Sequence, residues 1–322
     1  MHPAFSVIFL TTLIGAGQGL FLALFTAESY SAFGLLPATG SRFLGVGSGI
    51  ALALLLAGLA ASFFHLGHPE RAWRAAAQWR TSWLSREVIV LPAFMALVGL
   101  YALIHLASLN PTLGRLPSGA PITLSAIVGA LGTLLAFALF ICTAMIYACL
   151  RFLREWHSPL TVINYVLLGG ASGFSLAAGL AAVAEPERAG FFAGWALILT
   201  VLGLLGRVAS LIRNARLKPR STLQTAIGIK HPHIVQKTQG AMGGSFNTRE
   251  FFHGRSAVLL RQVKWVFLVG AFVLPALLLA TGGDGGPLLL AFAIQYAGLL
   301  AERWFFFAQA NHPQNLYYQT VG

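Results

Sequence analysis

Charge is what this chain lacks most. Only 9% of its 322 residues are Asp, Glu, Lys or Arg, and just nine of those are acidic. A soluble domain carries nearer a quarter. With 57% hydrophobic residues and a mean hydropathy of +0.75, the composition excludes that class. Cysteine is almost absent too. Cys142 and Cys149 share one apolar run. Their spacing fits neither an iron–sulfur cluster nor zinc, and two helical turns are too far for a disulfide within one straight helix. They read as small core residues. The N-terminus lacks a basic region and a small-residue cleavage site, so the first apolar run is expected to stay as a span rather than act as a signal peptide. Apolar–polar alternation is missing as well, which argues against a membrane β-barrel.

What is present is a series of continuous apolar runs long enough to cross about 30 Å of hydrocarbon as helices. Eight are expected, at about 3–27, 43–64, 88–109, 122–149, 160–184, 190–206, 263–281 and 286–304. Pro92 and Pro275 predict kinks. Small-residue stretches such as Gly45-Val-Gly47-Ser-Gly49 and Gly169-Gly170-Ala-Ser-Gly173 predict close helix packing. The pattern implies an all-α integral membrane protein, residues 1–322 forming one transmembrane domain.

The formal charge of +12 is unevenly spread. Eighteen of the 21 Lys and Arg lie in the segments following the second, fourth, sixth and eighth runs, and only Arg42, Arg115 and Arg188 fall on the other side. The positive-inside rule then puts both termini and the basic segments in the cytoplasm. Residues 207–262 form the longest of these segments, with ten Lys or Arg. A loop of that length in a compact protein is functional or disordered. Its glycines, aromatics and mixed charges point to a docking surface. A solvated loop against anionic lipid head groups is the other reading.

Residues 65–87 concentrate the chemistry. They hold two histidines, four arginines, three tryptophans and two glutamates between two apolar runs. Histidine titrates near neutral pH, and a partly desolvated carboxylate can be raised toward it. His65 ends the second run and Glu87 begins the third, so an antiparallel helix pair would set both at one depth. Quinone chemistry, which moves two protons with two electrons, needs such groups beside an apolar slot. Trp73, Trp79 and Trp83 suit the head-group belt and the mouth of such a slot. By spacing alone, Glu87 equally fits a helix-start carboxylate favoured by capping and the dipole, and His65 an interfacial histidine. A bis-histidine haem is disfavoured, because only His105 falls well inside a run. A transporter, which would show a water-lined cavity reaching both faces, and a purely structural tether remain as alternatives.

At these residues the chain resembles the membrane-anchor subunits of DMSO reductase-type molybdoenzymes. The resemblance rests on the opening Met1-His-Pro-Ala-Phe-Ser-Val-Ile-Phe9, on His65-Leu-Gly-His68-Pro-Glu-Arg-Ala-Trp73 and on Ser82-Trp-Leu-Ser-Arg-Glu87. Residues 243–254 and the tail from Ala301 to Tyr318 are most similar to the branch serving membrane-bound sulfite dehydrogenases. The resemblance implies an anchor of the bacterial inner membrane without haem or iron–sulfur cluster. It implies a bound quinone (ubiquinone or menaquinone), a ferredoxin-like iron–sulfur partner subunit and a molybdopterin catalytic subunit. Nucleic acid has no part in it. It places the family's functional histidine and glutamate at His65 and Glu87, expected to exchange protons with the quinone, and the clustering in 65–87 adds Trp73, Trp83 and Arg86 as residues expected to shape the pocket. Arg249, Glu250 and His253 are expected at the docking surface. The DMSO-reducing branch, which exports its catalytic subunits and oxidises quinol, is the alternative. The orientation read from charge agrees with the sulfite branch.

Overall fold

The computed structural model describes residues 2–218, 222–235, 256–281 and 285–312. Its main helices are α1 (Phe5–Ala32), α2 (Ser41–Phe63), α3 (Trp83–Leu106), α4 (Leu124–Ala148), α5 (Pro159–Ala184) and α6 (Ala189–Ala215). After a short α7 (Leu223–Ile227) come α8 (Ala257–Leu268), a π turn (Val269–Val273), α9 (Leu274–Ala280) and α10 (Gly285–Ala308). With α8 and α9 counted as one, eight helices are long and apolar enough to cross a membrane.

Local chemistry fixes where the helices begin. Ser82, Thr123, Ser158 and Ser256 are the N-caps of α3, α4, α5 and α8, each side chain accepting a backbone N–H of the first turn. A 3₁₀ segment (Pro69–Gln78) joins α2 to α3. The connections on its side of the bundle carry most of the Lys and Arg, and we call this the basic face. The opposite face bears a two-stranded antiparallel hairpin, β1 (Thr112–Arg115) and β2 (Pro121–Thr123), turned at Gly119 with φ 86°. These strands are absent from the hydropathy pattern because they are only four and three residues long.

Helices α1 and α5 are the most buried and form the centre. They touch backbone to backbone. A Cβ on Gly173 would stand 2.0 Å from the carbonyl carbon of Gly19, so only glycine fits. Pro275 follows the π turn rather than interrupting a regular helix, and that turn lets the chain approach Gly298 of α10. Helix α3 runs unbroken through Pro92.

Four helix ends lie five or more residues from expectation: α3 begins at Trp83 and α8 at Ala257, and the other two carry charge into the bundle. Helix α1 continues to Ala32, placing Glu28 inside it rather than in a loop. Helix α6 continues to Ala215, so the first nine residues of the 207–262 segment are helical and Arg207 is buried at 2% exposure. In both cases a buried polar partner compensates for the charge that the hydropathy pattern counted against a span.

Candidate functional site

The 65–87 stretch divides into an outer and an inner part. Residues 65–81 lie outside the bundle. His65 is exposed, and partial desolvation holds its imidazole below the usual value, so the ring is neutral at neutral pH. Trp73 and Trp79 are 72% and 52% exposed. The guanidinium of Arg74 sits 5.5 Å from the Trp73 ring, and that of Arg80 sits 5.3 Å from the Trp79 ring. Arg86 works differently. Its Nε donates to the Trp79 carbonyl at 2.9 Å and its Nη2 to the Arg80 carbonyl at 2.8 Å, while its guanidinium covers Trp83 at 4.2 Å. It straps the connection onto the start of α3, using a planar fork and a ring face that lysine could not match.

Glu87 points the other way. One turn into α3, it is 8% exposed and accepts a 2.5 Å hydrogen bond from the Thr143 hydroxyl of α4. It lines a cavity of about 20 Å³ together with Thr12, Gln18, Thr143, Tyr165 and Arg303. That volume has room for a water molecule, given polar walls. Glu87, Thr143, Tyr165 and Arg303 stand four to six residues inside their helix ends at the basic face. At 1.5 Å per residue they lie roughly 6–9 Å deep. His65 does not line the Glu87 cavity, and no hydrogen bond or ion pair joins the two residues among the described residues. Helical phase separates them: Glu87 faces α4 and the centre, whereas His65 lies just beyond the end of α2.

A second polar group adjoins the first. Arg207 Nε lies 2.7 Å from Glu302 Oε1, and Arg303 Nε lies 3.8 Å from Glu302 Oε2. All three residues are at most 5% exposed. The Arg303 guanidinium covers the Tyr165 ring at 4.0 Å, and Arg207 lies against Phe267 and Phe305. A cavity of about 10 Å³ is walled by this group and by Glu155, Asn164, Arg213 and Asn214. Tyr165 and Arg303 are common to both cavities. The arrangement thus continues from Glu87 toward the α4–α5 connection, where Glu155 and Arg213 are partly exposed. Counting charges, two arginines face Glu302 and Glu87, so the group is neutral with both carboxylates ionised and gains +1 when one takes a proton.

Tyr165, Thr143, Arg207 and Arg303 were not among the residues singled out from the sequence. A signal existed: Glu302 and Arg303 are adjacent charges inside the eighth apolar run, and such residues are expensive in lipid unless paired. Their partner, Arg207, is 95 residues away in sequence, which no local pattern reveals. Arg249, Glu250 and His253 lie outside the described residues.

Two comparisons with known proteins bear on this arrangement. A family model described as DMSO reductase anchor subunit (DmsC) matches residues 1–242. A sulfite dehydrogenase subunit of Allochromatium vinosum is 58% identical over 324 residues, covering 100% of both chains.

Proposed function

The chain belongs to the DMSO reductase anchor subunit family, and on that premise we propose that it passes electrons between a partner iron–sulfur subunit and the membrane quinone pool, in cytoplasmic sulfite oxidation. Membership makes it a membrane anchor subunit of a multi-subunit oxidoreductase. The sulfite assignment is supported by the full-length identity to a sulfite dehydrogenase subunit and by the charge asymmetry, which favours a cytoplasmic basic face. In this reading the partner subunits carry the molybdopterin and the iron–sulfur clusters.

The observation that carries the reading is Glu87, a carboxylate inside the bundle that is bonded to Thr143 and set beside a water-sized cavity whose mostly apolar wall also holds Gln18, Tyr165 and Arg303. A bound quinone supplies two-electron, two-proton chemistry. The residues present fit the proton half of that task. Glu87 can hold or release a proton, and the Thr143 hydroxyl fixes its Oε1. Tyr165 and Arg303 link its cavity to the one bordered by Glu302 and Glu155, a route for water and protons to the basic face. The 20 Å³ cavity is too small for a quinone ring, so the ring is left to the surface bearing His65, Trp73, Trp83 and Arg86. There the neutral imidazole offers a hydrogen-bonding group, and Arg86 keeps Trp83 and the connection in place. The long segment between α6 and α8, with Arg249, Glu250 and His253, is assigned to docking the iron–sulfur subunit.

Glu87→Gln tests the role of Glu87. The amide keeps the shape and an oxygen for Thr143 but cannot exchange the proton. The complex is expected to assemble and to oxidise sulfite with a soluble artificial acceptor at the wild-type rate. Sulfite-to-quinone turnover should fall by about 10²–10⁴, the range of a general acid–base contribution. Wild-type quinone turnover in this variant would sink the assignment.

A further inference from the structure

Glu28 and His105 take no part in the site above. They stand at the other end of the bundle, near the ends of α1 and α3 on the hairpin face. Both oxygens of Glu28 are occupied: Tyr101 donates to Oε2 at 2.5 Å, and Ser125 donates a shorter bond to Oε1. Ser125 is itself fixed by Asn110, whose Nδ2 donates to its hydroxyl at 2.7 Å and whose Oδ1 accepts its backbone N–H at 2.9 Å.

His105 is 4% exposed and less well served. Its Nδ1 lies 3.2 Å from Ser41 Oγ, and the Ser41 hydroxyl donates its hydrogen to the His105 carbonyl at 2.8 Å. Ser41 Oγ is therefore the acceptor for Nδ1, which carries the ring hydrogen. Nε2 lies 3.5 Å from Glu28 Oε1, within ion-pair reach but long for a hydrogen bond, and has no other hydrogen-bond partner among the described residues. A buried polar atom in that state is costly unless something binds it.

Glu28 and His105 form the polar wall of a cavity of about 740 Å³. The remaining wall is mostly apolar, with Phe25, Leu44, Ile122 and Ile127. Phe33, Ile127 and Leu131 line it while being 57%, 41% and 48% exposed, so apolar side chains form its rim. The size and the ratio of polar to apolar groups are those of sites for drug-sized molecules. They are unlike the water-sized spaces at the basic face.

We propose that this cavity is a second binding site, for a lipophile whose head carries a hydroxyl or carbonyl, with the head bonded to His105 Nε2 and the tail leaving past Ile127 and Leu131. Nε2 accepts from a hydroxyl when the ring is neutral and donates to a carbonyl when the ring is charged. A quinol or quinone presents these groups, and so does the ester region of a phospholipid. The site is independent of the Glu87 reading, being built from other residues at the opposite face.

The test is photolabelling of the purified complex in nanodiscs of defined phospholipid, using an azido-ubiquinone and mapping the labelled peptides. Label is expected on residues 25–33 or 124–131. It should drop about tenfold in His105→Leu, the loss expected for one hydrogen bond. It should vanish in Ala130→Phe, which fills the cavity and leaves the Glu28–His105 pair intact. Gel filtration of each complex checks that it is folded. Displacement by excess unlabelled quinone identifies a quinone-type occupant. Displacement by added phospholipid alone, with the same response in both variants, identifies a lipid ester head. Either supports the site. No label on these peptides, or label unchanged in both folded variants, overturns it, whatever Glu87→Gln does to turnover.

Discussion

The buried ion group offers a sharp energetic test. Glu302→Ala removes the carboxylate facing Arg207 and Arg303, which are only 2% and 5% exposed. Breaking a buried pair from one side costs about 3–5 kcal/mol, because the partner's charge is left uncompensated in a medium of low dielectric. For a chain of this size that corresponds to a fall of roughly 10 °C in melting temperature. Replacing both partners is different, since two apolar side chains of similar volume can be close to neutral. The double variant Arg207→Met/Glu302→Met should therefore melt higher than Glu302→Ala alone, even though it carries one more change. Melting can be followed with a thiol-reactive fluorophore on the native protein, because Cys142 is buried in α4 and becomes reactive only when the bundle opens. Cys149 is exposed and supplies the constant background. Glu302→Ala melting within about 2 °C of wild type would refute the claim that this pair is desolvated and energetically coupled. So would a double variant less stable than the single one.

Other outcomes follow from packing, orientation and docking. Gly173→Val places side-chain atoms where Gly19 of α1 already lies 2.0 Å from an added Cβ, so the two central helices must separate. Loss of folded protein in detergent gel filtration is expected, and a normal elution profile would show that α1 and α5 are not in backbone contact. If the basic face is cytoplasmic, native Cys149, exposed at the end of α4, reacts with a membrane-impermeant maleimide in inverted vesicles and not in sealed spheroplasts. The reverse pattern would favour the exported, DMSO-reducing arrangement. Deleting residues 240–254 should release the iron–sulfur and catalytic subunits from membranes while leaving the anchor inserted, and their retention would count against a docking role.

Hydropathy made the eight spans legible to within a few residues at most ends, because the energy of burying backbone and apolar side chains in lipid is set by local composition. It failed where charge is neutralised at a distance. Glu28 read as a loop residue because Tyr101, Ser125 and His105 come from α3 and α4. Arg207 read as the start of a loop because Glu302 comes from α10. The direction in which Glu87 points was not legible for a related reason. Depth can be estimated from position along a run, but the direction of a side chain depends on helical phase and on which helices close the bundle. Glu87, one turn past the Ser82 cap, is aimed at Thr143 by that phase.

These failures share a physical pattern with consequences for function. The apolar runs are interrupted by charge at two levels, one near each face, and each level recruits partners from helices remote in sequence. At the basic face the partners are arginines and the spaces between them are water-sized, which suits the movement of protons and excludes larger molecules. At the hairpin face the partners are hydroxyl groups and the His105 imidazole, and the adjoining space is more than thirty times larger. Between the two levels α1 and α5 are sealed glycine to glycine. The cavity lined by Glu87 and the cavity lined by Glu28 share no lining residue. In the quinone-coupled anchor proposed above, the glycine seam between α1 and α5 lies between the level of Glu87 and the level of Glu28.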